Sequence, residues 1–69
     1  MSKCQSEAVI ALQAAIIGYD TDRTATSLRE LRHAVANARA AGVNVAAVLE
    51  AAVTVLCTEE ELRRIADAA

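Results

Sequence analysis

Wound as a helix, the stretch from Asn44 to Cys57 (NVAAVLEAAVTVLC) is apolar almost all the way round. A helix without a wet face has to be buried, either in a larger core or against another chain. The whole chain has 69 residues, so it holds little else to bury that helix under. A chain of this size hides only about 60% of the surface it exposes when unfolded, and is marginal alone. The simplest expectation is a homo-oligomer, with a dimer favoured. Val45, Val48, Leu49, Ala52, Val53 and Leu56 then form the oligomer or partner interface.

Composition narrows the fold. Seventeen residues are alanine, Phe and Trp are absent, and Tyr19 is the single aromatic residue. Alanine favours helix and adds little volume to a core. The expected fold is all-α: one domain over residues 1–69, a small bundle of three to four helices. A long second helix packs on the apolar third, helices one and four act as covers, and the bundle pairs with a second copy by burying part of helix three or helix one.

With no proline in the chain, helix boundaries rest on caps and glycines. Helix one is expected from about Gln5 to Ile17, with Val9, Leu12 and Ile16 on its core face, widened by Ile10 and Ile17. A strand over Val9–Ile17 is the alternative, but it has nothing to pair with. Gly18 is expected to end helix one, and Tyr19-Asp20-Thr21-Asp22 to form a polar connector. Helix two starts at Thr24 or Ser27 and runs to Ala41. Ser27-Leu28-Arg29-Glu30 matches a capping box, and Leu28, Leu31, Val35 and Ala38 form an apolar seam. Gly42 closes it. Helix three runs from Asn44, a good N-cap, to Leu56 or Cys57, with Glu50 and Thr54 as its only polar line. Thr58-Glu59-Glu60-Glu61 opens helix four, whose stripe is Leu62, Ile65, Ala66 and Ala69.

Charge and cysteine usage exclude several classes. A net charge of −2 gives no general attraction to nucleic acid or to anionic membrane. The run Ala8–Ile17 after Lys3 imitates an export signal, but Glu7 and Gln13 interrupt it and no cleavage site follows. No apolar stretch reaches the ~20 residues that span a bilayer. The expected location is cytoplasmic. Cys4 and Cys57 stand far apart and read as two reduced thiols, with a bridge as the alternative. His33 is the only other soft ligand, so no metal site is expected. No cofactor is expected either.

The turn Ala38-Arg39-Ala40-Ala41-Gly42-Val43, with Val48 following, resembles the centre of a helix-turn-helix DNA-binding unit of the bacterial repressor kind. Ala38, Gly42, Val43 and Val48 match that pattern. The resemblance implies a recognition helix whose base-facing positions are Val45, Ala46, Leu49 and Glu50. None of these side chains donates the hydrogen bonds that base edges and phosphates call for.

Three further features remain. Arg29, Arg32 and Arg39 fall within a quarter turn of one another on helix two and read either as a basic, partner-facing edge or as a solvated face. No aromatic residue is interleaved among them for stacking on RNA. His33 has a side chain suited to proton transfer, but it has no nucleophile at a recognisable spacing. Glu50 is either a buried specificity contact or the wet edge of helix three. The sequence therefore points away from an enzyme. It points to a protein-interaction module that regulates or inhibits a larger cytoplasmic protein of bacterial or phage type, with the helix-turn-helix regulator as the alternative.

Overall fold

A computed structural model describes residues 2–51 and 59–67. Among these the chain is all-helical, with four helices: α1 (Lys3–Thr21), α2 (Ala25–Ala40), α3 (Val45–Ala51) and α4 (Glu59–Asp67). Ala52, Val53, Leu56, Cys57 and Thr58 lie outside the described residues, and with them the junction of the third and fourth helices.

Helix α1 is longer at both ends than its apolar periodicity suggests. It starts earlier because Ser2 and Gln5 form a capping box. The Gln5 N–H donates to Ser2 Oγ at 3.2 Å, and the Ser2 N–H donates to Gln5 Oε1 at 3.2 Å. These bonds satisfy two donors that a helix start would otherwise leave open. The helix also runs through Gly18 and ends at Thr21, with Asp22 as its C-cap. Gly18 is therefore not a terminator. Tyr19 explains the difference. It follows Leu12 by seven residues and Ile16 by three, so it extends the same face and packs against the core. Tyr19 thus belongs to the helix and not to the connector.

The connector is short and fastened at both sides. Thr24 caps α2, its Oγ1 accepting from the Ser27 N–H at 3.1 Å, while Ser27 Oγ accepts from the Thr24 N–H at 3.0 Å. The box at this helix start is thus Thr24–Ser27, and Ser27–Glu30 lies inside the helix. Arg23 lies over the Tyr19 ring, 5.4 Å from its centroid, and its guanidinium pairs with Glu61 of α4 at 2.6 Å. Both partners are partly exposed, so this pair contributes at most about 1 kcal/mol. Its main effect is to set the start of α4 against the α1–α2 end of the molecule.

Gly42 ends α2 as the sequence suggests. It is the only glycine with positive φ, at 83°. The Gly42 N–H donates to Arg39 O and the Val43 N–H to Ala38 O, each at 3.0 Å, the pair of bonds of a Schellman motif. Asn44 then caps α3, accepting the Ala47 N–H at 3.2 Å. Gln5 reaches from α1 to donate to Gly42 O at 3.5 Å, and a Cβ on Gly42 would stand 3.1 Å from that amide nitrogen. Gly42→Ala should therefore lose about 1–2 kcal/mol from the left-handed backbone alone. A lower urea midpoint with an unchanged slope is the expected readout.

Helix α1 packs along α2, while α3 and α4 pack on each other and both touch α2. One core joins them: Ala8, Leu12 and Ile16 of α1, Leu31, Ala34, Val35 and Ala38 of α2, Val45 and Leu49 of α3, and Leu62 and Ala66 of α4. Among the described residues, none of the buried ones is polar or charged. Among the described residues no helix is long and apolar enough to cross a membrane.

Candidate functional site

The core takes one side of α1 and leaves the other bare. At about 100° per residue, Ile10 and Ile17 stand roughly opposite Leu12 on the helix. They are 65% and 63% exposed, so they do not widen the core face as the sequence reading expects. Seven residues separate them, which puts them on one line about 10 Å apart. Exposed Ala14 lies between them. A lone exposed isoleucine would need no explanation. Two in line on one helix face form a candidate contact ridge.

A groove of about 620 Å³ runs beside this ridge, between α1 and α2. Ala11, Ala14 and Ala15 of α1 and Ala34 of α2 form its floor, and Arg29, Glu30, His33 and Asn37 stand along its α2 wall. The small side chains cause the groove: at these positions neither helix carries enough volume to fill the space beside their contact. The result is an apolar floor with a polar rim, open to solvent.

The other candidate residues disperse. Val45 is 6% exposed and Leu49 is 2% exposed. Both lie in the chain's own core, where α2 and α4 already cover them. Val48 is partly buried against the same core, and Ala52, Val53 and Leu56 lie outside the described residues. The described part of helix three is thus not dry on all sides: Ala46, Ala47, Glu50 and Ala51 are exposed, and Glu50 is a surface carboxylate. The three arginines are exposed and do not share one depression. Arg29 lines the α1–α2 groove. Arg39 lines a separate depression of about 430 Å³ with Val43, Asn44, Arg63 and Asp67. Arg32 lines neither. Among the described residues none of these three makes an ion pair.

The four residues behind the helix-turn-helix resemblance do build the turn. Ala38 is buried, Gly42 is left-handed, and Val43 and Val48 pack against the core. Of the base-facing positions, Val45 and Leu49 are buried, leaving Ala46 and Glu50 exposed. A face made of methyl groups and a carboxylate offers no donor to bases or phosphates. His33 is exposed on the groove rim, and Cys4 is an exposed free thiol. No group of three metal-ligating side chains occurs among the described residues.

Sequence reasoning missed both the ridge and the groove. The signal for the ridge is present, because a wheel centred on Leu12 and Ile16 puts Ile10 and Ile17 on the far side. The groove has a weaker signal, three alanines whose packing partner cannot be named from spacing. Comparison with protein-family models, with curated proteins and with solved structures finds no match to this chain.

Proposed function

We propose that this chain is a small non-enzymatic protein-interaction module, a regulator or inhibitor that docks onto a larger cytoplasmic protein. The observation that carries this reading is the exposed pair Ile10 and Ile17 on one face of α1, beside an alanine-floored groove. Large exposed apolar side chains next to a recess with a polar rim are the composition of a protein-contact surface. The interior, all hydrocarbon among the described residues, acts as a scaffold for that surface.

The test is affinity capture from the host cell followed by mass spectrometry, run in parallel with the wild type and an Ile10→Lys/Ile17→Lys variant. One specific protein should be enriched by the wild type and lost with the variant. Equal recovery by both chains, or repeated recovery of nothing, counts against the reading.

A further inference from the structure

We propose that α1 pairs with α1 of a second copy of this chain, antiparallel about a two-fold axis at Ala14, so that the docking unit is a dimer. This rests on reading the α1 face as a docking surface, and it names the occupant of that face.

The face is complementary to itself in one register. Ile10 and Ile17 are two projections on one line, and Ala11, Ala14 and Gly18 are small residues on the adjoining line. Turning a second α1 end for end about Ala14 seats Ile10 against Gly18 of the second copy, and Ile17 against Ala11 of the second copy. Each projection then meets a small residue. Gly18 supports this arrangement independently. It lies inside α1, where glycine weakens a helix, and among the described residues no atom beyond its chain neighbours and its own helix backbone comes within 4 Å of where its Cβ would be. Packing among the described residues therefore gives no reason for a glycine there, whereas an isoleucine arriving from a second helix does.

Charge selects the same orientation. Glu7 is exposed one helical turn before Ala11, on the groove side of α1. Arg29 lines the groove from α2. Because α2 runs back along α1, Arg29 stands beside the Gly18 end and Glu7 lies near the other. Within one chain the two are too far apart to pair, and neither makes an ion pair among the described residues. The antiparallel register brings Glu7 of the second copy to the Arg29 end of the groove, and the two-fold makes this contact twice. It also carries Lys3 of the second copy past Asp22. A parallel pairing would set Glu7 beside Glu7 and isoleucine against isoleucine, leaving the small residues unfilled.

The test uses the full chain with two charge reversals, Glu7→Arg and Arg29→Glu. Both sites are exposed, and circular dichroism verifies that each variant folds. Sedimentation equilibrium should show a wild-type dimer, with each reversal alone raising the dimer dissociation constant about tenfold or more. Mixing the two single variants should restore wild-type affinity. In that heterodimer both contacts are opposite in charge, whereas each homodimer sets like against like. Two outcomes overturn the dimer: a wild type that stays monomeric at millimolar concentration, or a dimer indifferent to the reversals and to mixing. A monomer that still captures another protein through Ile10 and Ile17 removes the dimer and leaves the docking function standing.

Discussion

Leu49→Asp is expected to unfold the chain. Leu49 is 2% exposed, and among the described residues no buried side chain is polar or charged. The variant loses the transfer energy of a leucine, about 2 kcal/mol, and gains an unpaired polar group in an apolar site. Even protonated, that group costs about 2 kcal/mol or more. The sum, roughly 4 kcal/mol, is comparable to the whole stability of a domain at the low end of the usual range, about 5 kcal/mol. Far-ultraviolet circular dichroism should show most of the helix signal gone at room temperature. A cooperative melt at the wild-type temperature would mean that α3 is not packed on α2 and α4.

The second large effect comes from comparing two neighbours. Ile16 is fully buried and Ile17 is 63% exposed. Ile16→Asp should cost roughly 4 kcal/mol or more for the reasons given for Leu49 and leave little folded protein. Ile17→Asp should change the stability of the dilute monomer by only about 0.5 kcal/mol, as at most surface positions. The same substitution should abolish association at high concentration, because it puts a carboxylate on the proposed contact ridge. Thermal melts at low concentration read the first difference, and sedimentation at high concentration reads the second. If the two variants melt alike, the rotation of α1 about its axis differs from that described.

Most of the core of α2 was legible from spacing, because Leu31, Val35 and Ala38 repeat at helical intervals and are buried, whereas Leu28 of the same expected seam is only partly buried and Ala34, outside it, joins the core. Asn44 and Gly42 were legible for a similar reason, since their roles need only local backbone bonds. The start of α1 was legible too, although the apolar periodicity starts later: Ser2-Lys3-Cys4-Gln5 is the Ser-x-x-Gln form of a capping box. Gly18 misled because glycine permits a helix end but does not require one, and the pull of Tyr19 toward the core prevailed. The assignment of Val45 and Leu49 to a contact with another molecule rested on counting apolar faces. Whether one chain can cover such a face depends on where α4 lands, and Leu62 and Ala66 reach it through a tertiary contact that no local pattern reveals. The same limit hid the groove, which exists only once α1 lies along α2.

Helix α4 has one more consequence. Its nine described residues fall short of the length at which a helix persists by itself in water, about 12–15 residues. Leu62, Ala66 and the Arg23–Glu61 pair hold it in place. Amide exchange should therefore be faster there than in α1 and α2, the longer helices that pack along each other. Each such opening briefly wets Val45 and Leu49, making α4 the latch on a second apolar surface that the closed molecule keeps out of sight.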